Sequence, residues 1–166
     1  MTQQHLKNGK AQAVIANSGN ANTCNADGVE KAERMCLLAA KELGIPQEDV
    51  LVASTGVIGQ VLPIEPIENS VAALTSALSK EGGTDAAEAI MTTDTVKKEI
   101  AVQIEVGGKT VTIGGIAKGS GMIHPNMATM LGFLTTDAAV SPEMLQCAVK
   151  EAADVSFNMV SVDGDT

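Results

Sequence analysis

The stretch KKEIAVQIEVGGKTVTI, residues 97–113, decides half of the fold. Apolar side chains occupy every second position of its first part, which is the period of a β-strand. They are Ile100, Val102, Ile104 and Val106. Gly107-Gly108 then joins this run to a second strand-like segment, so the stretch predicts a β-hairpin.

Strands and helices alternate on either side of the hairpin. Strand-like segments are AQAVIAN (residues 11–17), VLVAS (50–54), LGFLTTDA (131–138) and the apolar part of SFNMVSV (156–162). Apolar residues at helical spacing predict helices at residues 29–43, 64–78 and 85–91, and Ser141-Pro142 opens a last one. The alternation predicts an α/β fold with a mixed sheet.

Composition excludes several classes of function. The 166 residues carry a net charge of −9, whereas a nucleic-acid or anionic-membrane surface needs clustered Lys and Arg. No apolar run has transmembrane length, and no signal peptide is visible. Three cysteines without CxxC or CxxH spacing indicate reduced thiols and no metal site. We expect a cytoplasmic protein without metal or cofactor.

Familiar catalytic schemes find little support in the sequence. A Ser-His-Asp or Cys-His arrangement needs a histidine base, and only His5 and His124 are present. His5 lies in a polar terminus that we expect to be disordered, and His124 lies in a glycine-rich loop. A Walker phosphate loop needs Gly-Lys-Ser/Thr, whereas this chain has the order Lys118-Gly119-Ser120.

One scheme remains, in GSGMIHPNMATMLGFLTTDA (residues 119–138). A threonine with a free α-amine can act as its own nucleophile and base, because that amine has a pKa of about 8. Thr129 would gain such an amine if its hydroxyl attacked the Ala128 carbonyl and the bond were cut. Taken alone, these residues favour the simpler interpretation, in which Thr129 is a β-branched residue at a strand start.

Five segments, in order, resemble the ornithine acetyltransferase (glutamate N-acetyltransferase) family of arginine biosynthesis. They are AVIANSGNANTCNADG (13–28), VASTGVIGQVLPIE (52–65), AIMTTDT (89–95), KGSGMIHPNMATMLGFLTTDA (118–138) and SFNMVSVDGDT (156–166). The resemblance implies the layered αββα arrangement of mixed sheets, shared with self-processing aminopeptidases. It also implies self-cleavage between Ala128 and Thr129, with Thr129 as nucleophile and substrate contact.

The same resemblance implies roles for other residues. The Thr55 hydroxyl and Gly56 N–H are expected to form an oxyanion hole, although a plain strand-to-helix turn explains them equally well. Lys118 and Thr92 are expected to bind substrate; the simpler interpretation of Lys118 is a solvated lysine, and Thr93 is an alternative to Thr92. The segment SGNAN receives no role beyond a glycine turn.

The implied reaction is acetyl transfer from N2-acetylornithine to glutamate through an acetyl-threonine intermediate, and some family members also accept acetyl-CoA. Alternatives are a self-processing amide hydrolase and a non-catalytic fragment. We expect residues 1–166 to be one partial domain, incomplete at both ends. Residues 1–128 would belong to the α subunit and 129–166 would begin the β subunit, the two assembling as an α2β2 heterotetramer.

Overall fold

The structure, a computed structural model, describes residues 1–126 and 130–165. The chain divides into two compact units, Met1–Gly82 and Gly83–Thr166, here called the N-terminal and C-terminal units. The expected single partial domain, and its division into subunits after Ala128, stay predictions.

The N-terminal unit is a strand–helix–strand motif with added helices. Its elements are α1 (Thr2–His5), β1 (Ala13–Asn17), α2 (Gly28–Leu43), β2 (Val50–Ser54) and α3 (Glu65–Ser76). β1 and β2 pair in parallel, with Ala13 opposite Val50 and Asn17 opposite Ser54. Parallel neighbours need a crossover connection, and α2 supplies it.

The core of this unit is aliphatic, as the near absence of aromatic residues requires. α2 buries one face, on which Met35 and Cys36 are fully enclosed, against Ile15 and Val50 of the two strands. Gly44 ends the helix in the left-handed conformation, with φ +67°. The strands and helices predicted for residues 11–78 are confirmed to within three residues at each end.

The expectation that His5 lies in a disordered tail is wrong. Residues Thr2–His5 form a helical turn, and His5 Nδ1 lies 2.8 Å from the Val50 carbonyl oxygen. The same carbonyl accepts from Cys36 Sγ at 3.3 Å. Burial, reinforced by nearby Glu33, raises the pKa of the Cys36 thiol to about 11. His5 and Cys36 therefore serve packing in this unit.

The C-terminal unit is built on an antiparallel sheet. Its elements are α4 (Gly83–Ala89), β3 (Lys98–Val106), β4 (Lys109–Lys118), β5 (Leu131–Thr136) and α5 (Pro142–Asp154). The strand order is β3-β4-β5. The predicted hairpin is confirmed, with positive φ at both Gly107 and Gly108. Ser141 caps α5 by accepting a hydrogen bond from Met144 N.

The strand predicted within residues 156–162 is wrong. Phe157–Met159 form a short 3-10 turn, and Val162 N donates to the Ile123 carbonyl at 2.8 Å. The α/β class is confirmed, with parallel pairing in one sheet and antiparallel pairing in the other.

Two further sequence expectations concern cysteines and membranes. Cys24, Cys36 and Cys147 are all free thiols. Among the helices of the described residues, none is long and apolar enough to cross a membrane.

Candidate active site

The predicted oxyanion residues lie at the carboxyl edge of the parallel strand pair. β2 runs directly into Thr55 and Gly56, and β1 runs into the SGNAN loop, residues 18–22. Ligands of open α/β sheets bind outside the carboxyl ends of parallel strands. The turn that contains Thr55 and Gly56 is therefore well placed for chemistry within its unit.

Gly56 makes a very close backbone contact with the SGNAN loop. A Cβ added to Gly56 would lie 2.2 Å from the Gly19 carbonyl carbon and 2.6 Å from Asn20 N, and its φ is +129°. No side chain fits such a gap, and few residues other than glycine adopt this φ. The glycine is thus required by the fold whether or not it also has a catalytic role.

The backbone on both sides of Gly56 is held by hydrogen bonds to the same loop. Thr55 N donates to the Asn17 carbonyl at 3.1 Å, and Val57 N donates to the Gly19 carbonyl at 3.2 Å. Within residues 1–126 and 130–165, by contrast, no hydrogen bond involves the N–H of Gly56. An unpaired N–H between two paired ones is a donor available to a ligand oxygen.

The two predicted substrate contacts of the C-terminal unit touch each other. Lys118, at the end of β4, is buried, and its Nζ donates to Thr92 Oγ1 at 2.9 Å. An amine of lysine only donates in hydrogen bonds, so Thr92 must be the acceptor. The hydroxyl proton of the exposed Thr92 is therefore not used in this hydrogen bond. Thr93 instead pairs with Ser120, at 2.9 Å between the two hydroxyl oxygens.

Asp94 links the Thr92 turn to the end of β4. Its Oδ1 accepts from Gly119 N at 2.8 Å and from Lys98 Nζ at 2.6 Å, and its Oδ2 lies 3.3 Å from Thr92 N. Burial alone would raise the pKa of this carboxyl. The hydrogen bonds from Lys98 and from the two backbone N–H groups outweigh burial and lower the pKa to about 2.

Ala128 and Thr129, the predicted cleavage bond, lie outside the described residues. The chain just before them is tied to the C-terminal segment. Asp163 accepts from Met122 N at 2.6 Å and from Ile123 N at 2.9 Å, and these bonds lower the pKa of its carboxyl.

The structure thus brings Thr55 and Gly56 into one turn and Thr92 and Lys118 into one contact. Sequence reasoning missed the supporting residues Asn20, Asp94 and Asp163, although all three lie in segments that it singled out. In the part of the chain that the structure describes, no group of His, Cys, Asp and Glu could hold a metal ion.

Comparison with known proteins identifies the family. The sequence profile of the ArgJ family matches residues 1–166. The chain belongs to the ArgJ family. The resemblance drawn from the five sequence segments is confirmed.

Among ArgJ relatives, the arginine biosynthesis bifunctional protein of Symbiobacterium thermophilum is 59% identical over 167 residues. That alignment covers 100% of this chain and 42% of the relative. The corresponding protein of Caldanaerobacter subterraneus is 53% identical, with 98% of this chain and 40% of the relative covered. The chain therefore spans about two fifths of the length of the curated relatives it matches.

Two solved structures share the fold. The arginine biosynthesis bifunctional protein ArgJ of Bacillus halodurans is 45% identical with a TM-score of 0.67. The ornithine acetyltransferase of Mycobacterium tuberculosis, solved in complex with ornithine, is 34% identical with a TM-score of 0.65. Each likeness covers 78% of this chain and 68% of the other.

The contact between Gly56 and the SGNAN loop can be tested by adding one methyl group. Gly56→Ala is expected to lower the free energy of unfolding by about 2–6 kcal/mol, since overpacking and the positive φ both act. Gly59→Ala is the matched control, because Gly59 has φ +78° but open space around its Cβ position. The Gly59→Ala substitution should lower the free energy of unfolding by only about 1–2 kcal/mol. Urea denaturation of the chain measures both, and equal losses would contradict the close contact.

The Asp94 network predicts a pH dependence. The pKa of Asp94 in the folded state, about 2, lies below the ordinary value of about 3.9, so the ionised carboxylate stabilises the fold above pH 4. Asp94→Asn should lower the free energy of unfolding by about 2 kcal/mol at neutral pH. This difference from wild type should shrink as the pH falls from about 4 to about 2.

Asp137→Asn is the control for this experiment, because Asp137 is an exposed carboxylate that accepts from Thr112 N at 2.8 Å. The Asp137→Asn substitution should lower the free energy of unfolding by less than about 1 kcal/mol. Urea midpoints measured across the pH range give both values. An Asp94→Asn penalty that persists unchanged at pH 2 would contradict the network.

Proposed function

We propose that the protein containing this chain transfers the acetyl group of N2-acetylornithine to glutamate. The observation that carries the proposal is the match of the whole chain to the ArgJ family, whose relatives are named for arginine biosynthesis. The likeness to an ornithine acetyltransferase solved with ornithine supports the substrate class. The relatives are named bifunctional, which supports a second activity, and for that activity we propose acetyl-CoA as the acetyl donor.

The proposed nucleophile is Thr129. Its hydroxyl attacks the Ala128 carbonyl, and the acyl group shifts from nitrogen to oxygen, which frees the Thr129 amine. Water then hydrolyses the ester, which releases the Ala128 carboxylate and restores the Thr129 hydroxyl. That amine, with a pKa of about 8, then takes the hydroxyl proton when Thr129 attacks the acetyl carbonyl. Ornithine leaves, and glutamate accepts the acetyl group from the threonine ester. The scarcity of histidine, with only His5 and His124 in the chain, supports a nucleophile that supplies its own base.

The proposed oxyanion donors are the Thr55 hydroxyl and the Gly56 N–H. Negative charge develops on the acetyl oxygen in both halves of the reaction, and fixed donors stabilise it at no cost of reorganisation. The support for Gly56 is its N–H, which makes no hydrogen bond to the described residues although both neighbouring N–H groups do.

The proposed substrate contacts are Thr92 and Lys118, together with Thr129. The hydrogen bond from Lys118 to Thr92 Oγ1 supports Thr92 rather than Thr93, because it leaves the Thr92 hydroxyl proton to donate to an acceptor oxygen. An amino-acid substrate carries such oxygens on its carboxylate and its acyl group.

The proposed partner is the protein's own second subunit, released by cleavage at Ala128–Thr129 and retained in an α2β2 heterotetramer. A cytoplasmic location and the absence of a cofactor complete the proposal. Acetyl transfer through a threonine ester needs no cofactor, since the amine and hydroxyl of one residue supply base and nucleophile.

The nucleophile assignment is tested by Thr129→Ala in the full-length protein. We expect a single uncut polypeptide by intact mass and no acetyl transfer to glutamate. Thr135→Ala is the matched control, because Thr135 is an exposed threonine of β5 in the same unit. It should be cut and should turn over as wild type does. Cleavage and turnover in Thr129→Ala would eliminate this nucleophile.

The alternative acceptor is water, which would make the protein an amide hydrolase. The lifetime of the acetyl-enzyme, followed by mass spectrometry after a pulse of N2-acetylornithine, separates the two reactions. A transferase should lose the acetyl group quickly only when glutamate is added.

The oxyanion assignment is tested by Thr55→Ala. Loss of one donor should lower kcat roughly ten- to a thousandfold with little change in KM, because the interaction forms mainly in the transition state. Steady-state kinetics with N2-acetylornithine and glutamate give both constants. An unchanged kcat would leave the turn with a structural role alone.

A further inference from the structure

The SGNAN loop contains a buried polar side chain to which neither the sequence nor the proposed reaction gives a role. Asn20 is only 8% exposed. It lies three residues beyond the end of β1, at the same edge of the sheet as the turn that contains Gly56. A buried amide costs free energy unless its donors and acceptor are all paired, so its partners indicate what it does.

Both N–H groups of the Asn20 side chain hold the segment that follows the Gly56 turn. Nδ2 donates to the Gln60 carbonyl at 3.1 Å and to the Val61 carbonyl at 3.3 Å. Its Oδ1 accepts from Asn22 N at 2.8 Å, which folds the SGNAN loop back on itself. The Asn20 backbone carbonyl in turn accepts from Asn17 Nδ2 at 2.9 Å. One side chain therefore ties the loop after β1 to the loop after β2.

This tie fixes the backbone that surrounds Gly56. The Gly19–Asn20 peptide lies against Gly56 so closely that a Cβ there would be 2.5 Å from the Gly19 carbonyl oxygen. That same oxygen accepts from Val57 N, and Ala21 N donates back to the Val57 carbonyl at 2.9 Å. The direction of the Gly56 N–H is thus set by the position of the Gly19–Asn20 peptide, which the Asn20 side chain anchors.

We propose that Asn20 is the positioning residue of the oxyanion hole: it holds the Gly19–Asn20 peptide against Gly56 and so aims the Gly56 N–H at the developing oxyanion. The inference rests on the proposed acetyl transfer. Asn20 touches neither substrate nor nucleophile in this role and acts through the backbone of Gly56. An error of about 1 Å in such a donor can cost on the order of a hundredfold in rate.

The test uses the full-length protein with Asn20→Ala and, as a milder change, Asn20→Ser. Serine keeps one donor near the Gln60 and Val61 carbonyls, so its effect should be intermediate, and it decides the question where Asn20→Ala fails to fold. Asn25→Ala is the matched control. Its Nδ2 also donates to the Gln60 carbonyl, at 2.6 Å, but from a half-buried residue outside the contact with Gly56.

Two measurements distinguish positioning from simple structural support. The first is steady-state kinetics, in which Asn20→Ala should lower kcat about ten- to a hundredfold and change KM less than about twofold. The second is the affinity for N-(methylphosphonyl)ornithine, in which a tetrahedral phosphonyl group replaces the acetyl group and mimics the oxyanion. Its Kd should rise by about the same factor as kcat falls, whereas the Kd of ornithine should not change.

A loss of folded protein alone would lower the apparent kcat but would leave both dissociation constants unchanged. That result overturns the proposal, as does wild-type behaviour of both Asn20 variants or an equal effect in Asn25→Ala. A wild-type protein that transfers no acetyl group would remove the proposed function and this inference with it. If the wild-type protein is active and the Asn20 variants have unchanged kinetics, the inference about Asn20 is wrong and the proposed function stands.

Discussion

The contact between the Gly19–Asn20 peptide and Gly56 is the constraint on which the N-terminal unit depends. Two parallel strands end side by side, and the loops that leave them must cross within a distance that admits no Cβ. The crossing is stabilised by backbone hydrogen bonds on both sides of Gly56, so it behaves as one rigid turn. Rigidity of this kind is what a hydrogen-bond donor for a transition state requires, because a donor that must reorganise contributes less.

The C-terminal unit achieves a comparable rigidity by a different means. Its candidate residues are held by the buried carboxylate of Asp94. This carboxylate accepts hydrogen bonds from the backbone N–H groups of Thr92 and Gly119 and forms an ion pair with Lys98. Lys118 closes the ring by donating to Thr92. A backbone contact tolerates no larger side chain but is insensitive to pH, whereas a carboxylate network depends on ionisation. The contact at Gly56 and the Asp94 network would therefore respond differently to acid.

Much of the fold followed from periodicity, because the strands and helices of both units carry strong local signals. The hairpin was predictable from Gly107-Gly108, and β2 from a run of aliphatic residues before a glycine turn. The supporting residues were not predictable, because the partners of Asn20 lie 40 and 41 residues away in the chain. The error at residues 156–162 has the same origin. Apolar residues there favour a strand, but a long-range bond from Val162 to Ile123 fixes an irregular segment.

These long-range bonds also bear on what a cut between residues 128 and 129 would do to the C-terminal unit. β4 and β5 lie on opposite sides of that bond and pair from Ile113–Thr136 to Lys118–Leu131. Asp163 and Val162, after the bond, hold the backbone of Met122 and Ile123 before it. The pairing of β4 with β5 and the hydrogen bonds of the Asp163 carboxylate do not require the peptide bond between residues 128 and 129 to be intact. A chain cut at this bond would therefore keep its two pieces in register, because the pairing of β4 with β5 is made by residues on both sides of the cut.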